Sequence, residues 1–204
     1  MRFSKLILAG LLLAAAAPSF ATSVVRIDTT SLGVVNGFLD FNLAPGTDPM
    51  TVTISGFSPA ANLNPAVDPS STGAFAGNLT SGNSLVLGSG FADYFRGFTF
   101  GGIIQFFVTF SGPAITSPTP GATVGNTFAF SLFDASGSSP LLTSNDTFGY
   151  LFTMDVAPKT GAVSVTPFAL PSNALSITDT PEPATVLIIG AGLAAIGLLR
   201  KKKA

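Results

Sequence analysis

Cysteine, histidine and tryptophan are all missing from this 204-residue chain, and tyrosine occurs only twice. Each absence closes a line of chemistry. Without His or Cys there is no Ser-His-Asp or Cys-His nucleophile system and almost no route to a zinc or copper site. Without Cys no disulfide framework can staple the fold, so stability must come from an apolar core. Without Trp the strongest aromatic platform for sugars is gone, leaving Tyr94 and Tyr150. Glutamate occurs once, as Glu182, so carboxylate chemistry falls to nine aspartates.

Cations are also scarce in the middle of the chain. Between residues 22 and 180 there are three, Arg26, Arg96 and Lys159, against nine Asp, a net charge of 3 − 9 = −6. Three scattered cations make no basic stripe, which argues against nucleic acid as a partner. The remaining cations sit at the two ends of the sequence.

At the front, Arg2 and Lys5 precede an apolar run, Leu6 to Ala17, and then Pro18-Ser19-Phe20-Ala21. This is the pattern of a secretory signal peptide. Small residues at Ser19 and Ala21 suit the signal-peptidase cleft, so residues 1–21 are expected to be removed after Ala21. Twelve apolar residues are too few to span a hydrocarbon core of roughly 30 Å.

At the back, Pro181-Glu182-Pro183 leads into sixteen uncharged residues, Ala184 to Leu199, and then Arg200, Lys201, Lys202 and Lys203. As a helix that run is about 24 Å long, which thinning and snorkelling can fit to a bilayer. Residues 184–199 are therefore expected to form a transmembrane helix. The four cations are its membrane stop, holding the C-terminus in the cytoplasm and the body outside. Export follows the Sec route, with transient anchoring in the inner membrane.

Between the ends, period-two runs dominate. In "IIQFFVTF", Ile104, Phe106, Val108 and Phe110 share one face; in "TFAFSLF", Phe128, Phe130 and Leu132 do; in "YLFTMDV", Tyr150, Phe152, Met154 and Val156 do. "TVTISGF" alternates in the same way. Further strands are expected at 24–30, 37–43, 74–79, 85–87, 94–100 and 162–166, with long Pro-containing loops at 58–71, 111–126 and 134–147. The two-faced run at 103–110 reads as a central strand. Short strands separated by Gly, Pro, Asn and Ser indicate an all-β fold, an antiparallel β-sandwich of jelly-roll type over residues 22–171. Residues 172–180 read as a linker and 181–204 as a separate C-terminal segment.

Chemistry has few places to reside. A glycosidase using paired carboxylates would draw on Asp40, Asp93 and Asp155, which lie in or beside expected strands. Alternation puts Asp40 opposite Leu39, Phe41 and Leu43, where it reads as a solvated outward residue. A calcium site would draw on Asp134 in "FDASGSSP" or on Asp28 in "DTTS", but an Asp opening a turn ordinarily caps its own backbone. Asn78 and Asn145 fit the glycosylation acceptor pattern by chance. No catalytic residue, metal ligand or cofactor site is expected.

The C-terminal triplet, apolar run and basic cluster together resemble the PEP-CTERM sorting signal of Gram-negative bacteria. The stretches "IDTTSLGVVNGFLDFNLAPG", "GNLTSGNSLVLGS" and "GYLFTMDVAPKTG" resemble a family of small PEP-CTERM proteins of about 200 residues with no assigned activity. The resemblance implies Pro181, Glu182 and Pro183 as the sorting motif, and cleavage near residue 181 by the membrane protease exosortase. It also implies delivery to the cell surface or an extracellular matrix, with exopolysaccharide as an associated partner. The expectation is an exported, non-catalytic surface or matrix protein. A glycan-binding module, with or without calcium, is the alternative, and a paired-Asp enzyme the third reading.

Overall fold

Residues 22–67, 71–145 and 147–180 are described by a computed structural model. The expected signal peptide, the sorting triplet, the run 184–199 and the basic cluster lie outside these residues. Among the described residues no helix is long and apolar enough to cross a membrane.

Eleven antiparallel strands form the body: β1 Thr22–Asp28, β2 Asn36–Ala44, β3 Thr51–Ser58, β4 Leu63–Val67, β5 Thr72–Gly77, β6 Leu85–Thr99, β7 Ile103–Ser111, β8 Asn126–Phe133, β9 Tyr150–Val156, β10 Val163–Pro167 and β11 Leu175–Thr180. Alternation was a good guide to them. In β2, β3 and β7 the residues facing inward are Leu39, Phe41 and Leu43, Val52 and Ile54, and Ile104, Phe106, Val108 and Phe110. The doubly covered positions fall in β8 and β9, where Ala129 and Ser131, and Leu151 and Thr153, are buried beside the expected core residues. Strand β7, expected as a central strand, does lie between β3 and β1, and its outer face leaves Ile103 exposed and Gln105 and Phe107 half-buried.

The expected sandwich of two sheets takes the form of one continuous antiparallel sheet, nearly closed and barrel-like. Its order is β10-β9-β8-β2-β6-β3-β7-β1-β11, with β4 and β5 also on β6. The reason is β6. Residues 85–87 and 94–100, expected as separate strands, are not separate: 85–99 form a single strand of 15 residues. Its first part pairs with β3, Leu87 opposite Val52; its second part pairs with β2, Asp93 opposite Asn42. Strand β5 runs along its other edge past Gly88-Ser89-Gly90. One long strand therefore joins both halves of the sheet. Gly73 makes the approach of β5 possible: its φ is +89°, and a Cβ there would sit 2.1 Å from the Phe91 carbonyl oxygen.

Aromatic rings close the interior. Phe41 of β2 meets Phe106 of β7 at 5.4 Å and Phe130 of β8 at 4.8 Å, both edge-on, and Phe110 of β7 meets Phe128 of β8 at 6.3 Å. Edge-to-face geometry suits the ring quadrupoles and adds to the burial energy.

Two expectations about connections fail. The loop expected at 58–71 contains β4. The linker expected at 172–180 is a 3-10 turn followed by β11, which pairs with β1 in register from Ile27–Leu175 to Thr22–Thr180. The physical reason is that β1 would otherwise be an open edge, and Leu175 and Ile177 pack against the core. The sheet stops short of closure where β10 and β11 face each other. An apolar groove of about 390 Å³ lies between them, lined by Val165, Pro167, Leu175 and Ile177 among others.

Candidate functional site

The outward face of β2 carries Phe38, Asp40 and Asn42, the positions alternating with the core residues Leu39, Phe41 and Leu43. Register fixes the neighbours. Asp40 lies opposite Phe95 of β6 and Ser131 of β8, and Asn42 lies opposite Asp93. Asp40 and Asp93 are thus diagonal neighbours across β2 and β6, within reach of each other.

Their placement shifts the carboxyl of Asp40. Burial raises it most, and the charge and side chain of Asp93 raise it further, so that it titrates at about 8. Asp40 does face outward as alternation required, but it is shielded rather than solvated, because β6 and β8 flank it. Asp40 Oδ1 and Ser131 Oγ, on paired positions, are buried without a hydrogen-bond partner among the described residues.

Tyr150 of β9 lies opposite Ser131. Burial raises its hydroxyl, and the charges of Asp40 and Asp93 raise it further. Its ring stacks on that of Phe148 at 5.4 Å, and Phe148 is 64 % exposed. Tyr94, the other tyrosine, points into the core and offers no surface.

The remaining expected sites do not join this cluster. Asp155 accepts hydrogen bonds from the Thr127 and Thr153 hydroxyls, at 2.6 and 3.1 Å, and serves the β8–β9 ladder. No group of three or more acidic side chains able to hold a metal ion occurs among the described residues.

Asp134 caps its own turn. One of its oxygens accepts the Ser136 hydroxyl at 2.6 Å and the backbone N–H groups of Ser136, Ser138 and Ser139. The Ser136 hydroxyl, with these N–H groups, holds its carboxyl below the ordinary range. Asp28 does the same for Thr30, through the N–H at 2.9 Å and the hydroxyl at 2.6 Å. Asn145 accepts the N–H groups of Thr147 and Phe148, and Asn78 accepts that of Thr80. All four side chains are turn caps.

Ser19 and Ala21, Pro181, Glu182 and Pro183, and Arg200, Lys201, Lys202 and Lys203 all lie outside the described residues. The described chain ends where β11 meets them. There the description "PEP-CTERM protein-sorting motif" matches residues 179–202. A chain carrying this motif is exported, processed by exosortase and sorted to the cell surface. The match begins inside β11, at Asp179 and Thr180, so the sorting signal and the folded body overlap. No curated protein and no solved structure matches the chain.

Proposed function

We propose that the body is a non-catalytic component of the cell surface or extracellular matrix, associated with exopolysaccharide. Signal peptidase cuts after Ala21, and residues 184–199 anchor the chain in the inner membrane until exosortase cuts near residue 181. The observation that carries the non-catalytic part is the contact between Asp40 and Asp93. A glycosidase needs its two carboxyls about 5–10 Å apart, across the sugar. Here Asp40 is shielded between β6 and β8 with Asp93 diagonally beside it, an arrangement that does not fit a sugar between them. Calcium assistance draws no support from Asp134, whose carboxylate already caps a turn.

The test uses protein released by a host that has the sorting protease. It should co-sediment with isolated extracellular polysaccharide and release no reducing sugar from it. Release of reducing ends that is lost in Asp93→Asn would replace this reading with the enzymatic one. Failure to co-sediment would remove the polysaccharide association.

A further inference from the structure

A second concavity, of about 420 Å³, opens where the start of β2, the end of β6 and the entry to β4 come together. Its walls include Asn36, Phe38, Asn62, Asn64, Thr99 and Ala135. None of the residues lining it carries a charge. Three carboxamides and two phenylalanines, Phe38 and Phe98, line this uncharged space in a body otherwise rich in Ser, Thr and Gly.

The amides are held in place with capacity to spare. Thr99 links two of them: its hydroxyl donates to Asn36 Oδ1 at 2.9 Å, and its carbonyl oxygen accepts from Asn62 Nδ2 at 2.8 Å. That leaves the Asn36 NH₂ group and the Asn62 carbonyl oxygen without a partner among the described residues. Asn64 lies over the backbone of Gly97, where a Cβ would come within 2.7 Å of its Nδ2, and its amide makes no hydrogen bond among the described residues. Phe38 is braced by Phe95, stacked on it at 4.7 Å. Ala135 sits in the turn that Asp134 caps, so that rim is also fixed.

We infer that this cleft is a binding subsite for one or two residues of a neutral, hydroxyl-rich glycan. Amides supply a donor and an acceptor each, which is the pairing a vicinal diol needs. A braced aromatic ring contacts the apolar face of a sugar. The absence of charge in the lining, and the net −6 of the body, select against uronic acid polymers. This rests on the polysaccharide association proposed above and gives it a location.

Saturation-transfer NMR of the released protein with neutral gluco-, manno- and galacto-oligosaccharides, and with an oligouronate for contrast, tests it. At least one neutral oligosaccharide should bind, and the oligouronate should not. Asn64→Ala, which breaks no hydrogen bond among the described residues, should weaken that binding about tenfold, the equivalent of about 1.4 kcal/mol. Ala135→Phe, which fills the cleft from an exposed position, should abolish it. Phe148→Ala should leave it unchanged.

Binding that survives both cleft variants, or that is lost only in Phe148→Ala, overturns the cleft and moves the site to the Phe148–Tyr150 pair. Preference for the oligouronate overturns the neutral-glycan assignment. Protein that co-sediments with polysaccharide but binds through neither cleft variant's target loses this inference alone, whereas protein that binds no glycan at all loses the association as well.

Discussion

Thr180, the last residue before the sorting triplet, donates its hydroxyl to the main-chain carbonyl oxygen of Thr22, the residue expected to become the N-terminus. Their Cα atoms are partners at the end of the β1–β11 ladder. Ser23 reinforces the same end by donating to Asp179 at 2.8 Å. The two ends of the described body therefore lie side by side.

A body ending at residue 174 should be much less stable than one ending at 180. The shorter chain loses β11, exposes the edge of β1 and uncovers the core beside Leu175 and Ile177. Several ladder hydrogen bonds at about 1 kcal/mol each are lost. At about 2–4 °C per kcal/mol, the melting temperature should fall by roughly 6 °C or more. Equal melting temperatures would restore the linker reading. The longer fragment should give a β-type circular dichroism spectrum and a cooperative melt.

Asp40 should make stability depend on pH in a particular direction. Its folded carboxyl titrates at about 8, against an ordinary value of 3.8. Between those values the folded chain holds a proton that the unfolded chain has released, so raising the pH favours unfolding. The stabilisation is complete below about pH 4 and is lost as pH rises through about 8. From pH 5 to pH 9 the melting temperature should fall by at least about 2–4 °C, on the order of 1 kcal/mol. Asp40→Asn, which removes the titrating group at nearly the same size, should flatten this dependence. A wild-type profile flat from pH 5 to 9 would refute the raised carboxyl of Asp40.

Phe41 and Phe148 should behave oppositely. Phe41 is fully buried between rings from β7 and β8, and Phe41→Ala should cost about 3–5 kcal/mol. Phe148 is mostly exposed, and Phe148→Ala should change stability by less than about 0.5 kcal/mol. Urea unfolding of the two variants compares them directly.

Glu182 and the basic cluster should have separable roles. The cluster is expected to fix orientation, since each charge costs about 2.5–3.5 kcal/mol to place at the centre of a membrane. The triplet is expected to have no such physical task, since proline favours an extended segment of the kind a protease binds. Glu182→Ala should leave anchoring intact and cause full-length chain to accumulate. Replacing Arg200, Lys201, Lys202 and Lys203 by Ser should let the tail slip or invert. Fractionation with antibodies to the body and to the extreme C-terminus reads both outcomes. Normal release of the Glu182 variant would reduce the tail to a simple anchor.

The sorting motif, the all-β class and most core faces were legible in the residue order alone. They rest on local rules: a charge pattern along one segment, or an alternation whose period the pleat dictates. Phe106 and Val108 face inward because the side chains of a strand point to opposite faces in turn. The missing His, Cys and Trp also narrow the chemistry open to the chain.

Only the tertiary structure decided what depends on partners remote in sequence. Leu175–Thr180 has the length and polarity of a linker and becomes a strand because β1, some 150 residues earlier, offers it an open edge. Strand β6 runs unbroken through Gly88-Ser89-Gly90, pairing with β3 on one side of these residues and β2 on the other, and that joins the expected pair of sheets into one. Alternation placed Asp40 on the outward face, but whether that face was wet depended on β6 and β8. Those strands bring a second carboxylate to Asp40 and exclude water from it, and neither effect can be read from the residues on either side of it in the chain.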